Sequence, residues 1–129
     1  MRKLLHTMIR IADPDQSLKF YIDNLGMTLA EKLEFREQRF TLYFIQYEGA
    51  EAGSQIELTH NWDTTDPYDK GTGYGHMAIG VDDLVKTVDD LRAAGVPILR
   101  EPGPVIGGTA KIAFVSDPDG YKVELIENE

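Results

Sequence analysis

Ala113-Phe-Val-Ser-Asp-Pro-Asp-Gly-Tyr-Lys-Val-Glu-Leu-Ile126 sets two apolar runs on either side of Asp117-Pro-Asp-Gly120. Pro118 presets φ for a turn and Gly120 tolerates φ > 0, so the stretch reads as a β-hairpin. Side chains alternate between the faces of a strand. Tyr121, Val123 and Leu125 therefore share one face and Glu124 stands on the other. A carboxylate inside Val-Glu-Leu-Ile is costly to bury without a proton, a cation or a metal.

The same arrangement occurs upstream. Gln55-Ile-Glu-Leu-Thr59 is a second strand with one Glu, Glu57, among aliphatic residues. Each Glu is preceded at a similar distance by a His near the start of a strand, His6 in Leu5–Ile11 and His76 in Gly75–Val81. After each of these strands comes an acidic helix start, and then a helix closed by Leu25-Gly-Met27 or Ala94-Gly-Val96. The chain reads as a tandem duplication in which each copy carries one His and one Glu at matching places.

Working outward, strand Leu4–Ile11 puts His6, Met8 and Arg10 on one face, with Leu5, Thr7, Ile9 and Ile11 on the other. Asp13 is a helix N-cap, Pro14 suits the first helical position and Gln16 has capping-box spacing. Leu18, Tyr21, Ile22 and Leu25 form a helical apolar stripe, which Gly26 ends. Two strands follow, around 27–35 and 40–47, then a loop over Glu48–Ser54 and the Glu57 strand. In the second copy Asp82 or Asp83 caps a helix with Leu84, Val88 and Leu91 on its buried face. Residues Arg100–Gly108 are expected as a loop before the final hairpin. His60 has no counterpart in the duplication and reads as a loop residue. Each copy is thus β-α-β-β-β, an α+β architecture with module one at about 1–62, a linker at about 63–74 and module two at about 75–129.

At 129 residues the chain can bury one substantial core, whereas halves of this size are marginal alone. The two copies are therefore expected to share a core, within one chain or between chains. The absence of cysteine excludes disulfides and thiolate metal sites, and suits a cytoplasmic protein. With 22 acidic against 13 basic residues, a net charge of −9 argues against nucleic acid and anionic membranes as partners. No apolar run reaches the length of a membrane span. Two imidazoles and two carboxylates form a shell whose two negative charges neutralise one divalent nickel, cobalt, iron, manganese or zinc ion, with coordination positions left open for catalysis. Arg10 lies four residues beyond His6 on the same strand face, roughly 13 Å away at strand spacing. Asn61 lies four beyond Glu57. A guanidinium and an amide at that distance would suit a long substrate with a carboxylate at its far end.

The blocks Leu5-His-Thr-Met-Ile-Arg10, Glu57-Leu-Thr-His-Asn-Trp62, Tyr74-Gly-His-Met-Ala-Ile79 and Asp117-Pro-Asp-Gly-Tyr-Lys-Val-Glu-Leu125 resemble bacterial glyoxalase I, the lactoylglutathione lyases of the vicinal oxygen chelate superfamily. The resemblance implies paired βαβββ modules with curved mixed sheets around a metal-binding cleft. It implies metal ligands His6, Glu57, His76 and Glu124, and a homodimer whose sites draw on both chains. The short chain resembles the nickel- or cobalt-activated forms more than the longer zinc enzymes. The implied reaction isomerises the methylglyoxal–glutathione hemithioacetal to S-lactoylglutathione through an enediolate. Glu124 would be the base, Glu57 its counterpart, and Arg10 and Asn61 would hold the glutamyl end. One departure is Ile106, where close relatives carry Lys; it leaves the thiol open between glutathione and a relative with a less acidic end. Other members of the superfamily, extradiol dioxygenases and thiol transferases, use two His and one Glu. Drug-sequestering dimers need no metal, so two complete His/Glu pairs favour the isomerase.

Overall fold

The computed structural model of the chain describes residues 1–49 and 53–129. Part of the expected Glu48–Ser54 loop, residues 50–52, lies outside the described residues. The chain divides into two compact units, Met1–Tyr68 and Asp69–Glu129, each built around one four-stranded sheet.

In the first unit β1 (His6–Arg10) leads to α1 (Pro14–Leu18) and a π-helical segment (Lys19–Asn24). Then come β2 (Thr28–Phe35), β3 (Phe40–Gln46) and β4 (Gln55–Asn61), and the spatial order is β1-β4-β3-β2. In the second unit β5 (His76–Val81), α2 (Leu84–Ala93), β6 (Ile98–Pro104), β7 (Lys111–Ser116) and β8 (Lys122–Glu127) give β5-β8-β7-β6. Both sheets are antiparallel except for one pairing, at the edge formed by the first strand of each unit. β1 runs parallel to β4, and β5 parallel to β8. A parallel neighbour cannot be reached by a tight turn, so each unit inserts its helix and two strands between the paired strands.

The alternation expected from the sequence holds for the second half of β1 and for β8, whereas Leu5 and Thr7, expected on the buried face, are exposed. Ile9 and Ile11 are buried while His6, Met8 and Arg10 are exposed. Tyr121, Val123 and Leu125 are buried, and Glu124 lies on the opposite face. Asp83 is the cap of α2, accepting from the Lys86 N–H, and Leu84, Val88 and Leu91 are buried. The Asp117–Gly120 turn forms as read. Asp117 is itself buried, and its Oδ1 accepts from the N–H groups of Asp119 and Tyr121 at 2.9 and 2.8 Å. Gly120 takes φ +87°, which a side chain would strain.

Three expectations are corrected. The first helix is α-helical for only five residues and then widens, with the Leu25 N–H bonding to the Phe20 carbonyl five residues back. Tyr21 and Leu25 of the expected stripe are buried, but Leu18 and Ile22 are only half-buried, and Ser17 and Phe20 join the buried face instead. Residues Arg100–Pro104, expected as loop, belong to β6. This is an edge strand, where prolines lose no needed ladder bond, and it shifts register between Ile98 and Arg100 and between Arg100 and Gly103. His60 lies not in a loop but in β4, half-buried opposite Thr41.

Tyr47 closes the first helix from outside by donating to the Leu25 carbonyl at 2.6 Å, and burial pushes its phenol pKa upward. In the unfolded chain the phenol ionises near its ordinary value of about 10, so above that pH the unfolded state holds fewer protons and stability falls with rising pH. Tyr47→Phe is expected to cost about 0.5–1.5 kcal/mol at pH 7 and to flatten part of this alkaline loss. Urea melts between pH 7 and 11 test both, and an unchanged alkaline slope would rule out Tyr47 as its source.

Candidate metal centre

The parallel pairings build the candidate ligands. His6 is the Cα partner of Gln55, and His76 of Lys122. In each case the Glu is two residues further along the partner strand, on the same face and diagonally across from the His. Both diagonals close into contacts. His6 Nε2 is 2.7 Å from Glu57 Oε2, and His76 Nε2 is 3.2 Å from Glu124 Oε1. The imidazoles are about two-fifths exposed, at 38% and 41%, and the carboxylates far less, at 14% and 16%. Each pair therefore joins a partly exposed imidazole, through its Nε2, to a largely covered carboxylate. Within each unit two donors face one another. Among the described residues no group of three or more His, Cys, Asp or Glu converges.

A third residue of each constellation escaped the sequence reading. Phe44 on β3 sits directly opposite Glu57, and Phe114 on β7 directly opposite Glu124. Their rings meet the imidazoles edge-on, His6–Phe44 at 5.5 Å and 73°, His76–Phe114 at 5.1 Å and 81°. The available signal was positional, because both are aromatic residues at matching places in the third strand of their repeats.

Arg10 and Asn61 repeat the diagonal two same-face steps, four residues, further along the same strands. Arg10 is the partner of Thr59, and Asn61 lies two residues beyond Thr59 on the same face. Asn61 Nδ2 donates to the Tyr68 hydroxyl at 3.1 Å. Next to Asn61, Trp62 is fixed by its Nε1–H donating to Thr41 Oγ1 at 2.8 Å and by the Arg39 guanidinium over its ring. Arg39 in turn makes a two-point ion pair with Asp63, which holds the Asp63 carboxyl below its ordinary range.

Beside His76 the second unit opens a cleft of about 510 Å³, whose lining includes Tyr74, Leu99 and three cationic residues, Lys70, Arg100 and Lys122. Arg100 ties together the strand ends on either side of the loop at 105–110 by donating to the Ile112 carbonyl in β7 and the Pro104 carbonyl in β6. Ile106 is fully exposed on that loop, and Lys111 is turned to Glu127 at 3.9 Å. The matching opening beside His6 is smaller, about 390 Å³, and among its described lining residues Lys3 is the one formal cation. The Tyr74 hydroxyl is buried with no hydrogen-bond partner among the described residues, and burial raises its pKa, with Asp117 adding to the shift. Tyr74→Phe is therefore expected to unfold in urea at a midpoint no lower than the wild type at pH 7, because it removes an unpaired buried group. A loss above about 1 kcal/mol would show that the hydroxyl has a partner in solution.

The chain is similar along nearly its whole length to several known proteins. The lactoylglutathione lyase of Haemophilus influenzae is 54% identical over 127 residues, covering 98% of this chain and 93% of that one. The Leishmania major glyoxalase I structure, described as trypanothione-dependent, superposes with a TM-score of 0.86 at 42% identity, covering 98% and 87% of the two chains. The Zea mays glyoxalase I structure gives 0.91 at 40% identity; it covers 98% of this chain, which spans 44% of the maize chain. The Glyoxalase/Bleomycin resistance protein/Dioxygenase superfamily model matches residues 3–125, and with two His–Glu pairs on two βαβββ sheets the chain belongs to that superfamily.

Proposed function

We propose that the chain is a metal-dependent lactoylglutathione lyase, a glyoxalase I that isomerises the methylglyoxal–glutathione hemithioacetal to S-lactoylglutathione in the cytoplasm. The observation that carries this is the repeated diagonal, one imidazole nitrogen and one carboxylate oxygen within 2.7 and 3.2 Å in two separate units. Relatives covered along nearly their whole length bear that enzyme's name.

The donor chemistry fits one divalent ion. His6, Glu57, His76 and Glu124 together supply two neutral nitrogens and two anionic oxygens, which suits Ni²⁺ or Co²⁺ and also accommodates Zn²⁺. When bound, such an ion supplies a positive centre that lowers the cost of the enediolate formed as a carbon-bound proton leaves the substrate. The chain's own groups then divide the work. Glu124 takes the proton from one carbon of the hemithioacetal and returns it to the neighbouring carbon, so the net reaction neither consumes nor releases a proton. Glu57, its equivalent in the other unit, stays a ligand. Arg10 and Asn61 hold the glutamyl end of the thiol. The cationic cleft beside His76 supports an anionic thiol, since Arg100 and Lys122 bring positive charge that the loop lacks at Ile106. Each unit supplies two of the four donors, and a homodimer would complete each site with His6 and Glu57 of one chain and His76 and Glu124 of the other.

Activity is read by following thioester absorbance in the presence of methylglyoxal and glutathione. Chelated protein should be inactive, and Ni²⁺ or Co²⁺ should restore more activity than Zn²⁺. Glu124→Gln should keep its fold but lose nearly all turnover, because an amide cannot accept the proton. Retention of more than about a tenth of the rate, roughly 1.4 kcal/mol of barrier, would remove Glu124 from the role of base.

The shared site has its own test. His6→Ala and His76→Ala homodimers should both be inactive. When equal amounts are unfolded and refolded together, half the dimers are mixed, and in each of these one site carries both lesions and the other none. About a quarter of all sites should then recover. No recovery despite mixing verified by mass would sink the two-chain site while leaving the reaction assignment standing.

A further inference from the structure

Ligand histidines elsewhere are held in one tautomer and one ring orientation by a carboxylate, carbonyl or water that accepts from the second ring nitrogen. Neither His6 nor His76 has such a partner among the described residues. Their hydrogen-bond, ionic and ring contacts are each limited to one Glu and one Phe. Both imidazoles stand at the first residue of an exposed strand end, where side-chain rotation is otherwise little restricted. Yet both rings hold Nε2 toward a carboxylate.

We propose that Phe44 and Phe114 are positioning residues that do the orienting task usually done by a hydrogen bond to the second nitrogen. The proposal rests on the metal-site reading above and adds two residues to it. Three observations carry it. Each Phe is the cross-strand partner of the Glu, so its ring stands beside the carboxylate on the same face. Each meets the imidazole edge to face, at 73° and 81°, a geometry that the ring quadrupoles favour and that resists rotation of the imidazole plane. The arrangement is present in both copies of the duplication, at equivalent register positions and with similar ring geometry, although the surroundings of the two sites differ. The ring also flanks the carboxylate that is only 14% or 16% exposed, keeping water from one side of it. It contributes no donor and no charge, so it orients the pair without competing for the ion.

The test compares ring, shape and location. Phe44→Leu and Phe114→Leu remove the ring; Phe44→Tyr and Phe114→Tyr keep it. Phe40→Leu is the control, since Phe40 lies on the same face of β3 but stacks on Phe35 at 4.6 Å. Ni²⁺ affinity is measured by calorimetry on whole, metal-stripped protein. The Nε2–H proton shared with Glu is followed by ¹⁵N-edited NMR in the metal-free state. Each Leu variant is expected to weaken Ni²⁺ binding about tenfold or more and to lose the protected Nε2–H signal of its own unit, while the Tyr variants and Phe40→Leu stay within about threefold. Leu variants that bind within threefold and keep the signal would overturn the proposal and leave the two rings as apolar filler. If a Leu variant fails to fold, Phe→Met at that position fills the space without a ring and is held to the same criteria. If the wild type binds no divalent ion, the metal-site reading fails, and the Nε2–H signal alone then decides whether the rings position the imidazoles.

Discussion

The parallel ladder between the first and last strand of each unit is the constraint on which the rest depends. Its register decides which side chains meet. With His6 opposite Gln55 and His76 opposite Lys122, each Glu comes to lie one diagonal step from its His on the same face. A slip of one residue would turn Glu57 and Glu124 to the other face and carry Leu58 and Leu125 out of the core. The apolar face and the polar face therefore enforce the same register. Burial of Leu58, Val123 and Leu125 thus holds the strands in the register that brings each His beside its Glu.

This coupling explains why so much was legible beforehand. Alternation in Val-Glu-Leu and Ile-Glu-Leu exposes one Glu per strand, and the duplication picks out His6 and His76 without any knowledge of pairing. The caps at Asp13 and Asp83 and the turn at Asp117–Gly120 are local, so local residues reveal them. What failed was decided elsewhere. The π-helical widening after Leu18 is tied to non-local bonds such as Tyr47 to the Leu25 carbonyl, which no 3.6-residue stripe contains. β6 runs through Pro102 and Pro104 because its outer edge is unpaired, a fact of sheet order that its composition conceals. Phe44 and Phe114 read as ordinary strand apolars until the register sets each beside a Glu.

The two units have kept the same scaffold while their surroundings diverged. Beside His6 stand Gln46 and Gln55, bonded to each other at 2.9 Å; at the matching positions beside His76 stand Ser116 and Lys122. The first unit carries Arg10 and Asn61 further along its strands, and the second carries a larger cleft with Lys70, Arg100 and Lys122. The elements common to both are His, Glu and Phe in one diagonal array, the groups that the proposed metal site would draw on. The elements that differ suit the two unlike ends of an extended, asymmetric thiol.

Covering a carboxylate on a sheet face carries a desolvation cost that an apolar residue there would avoid. The chain accepts that cost twice, at Glu57 and Glu124, each 14–16% exposed and each next to an aromatic ring that limits hydration. The His at each site offsets part of the cost as a hydrogen-bond partner, but two such pairs at equivalent places exceed what stability alone requires. A sheet built only to fold would fill both positions with Val or Ile, as its neighbours Ile56 and Val123 already are. That cost is the physical argument for the proposed metal site, since a poorly hydrated carboxylate beside an imidazole gains more from a cation than a solvated one would.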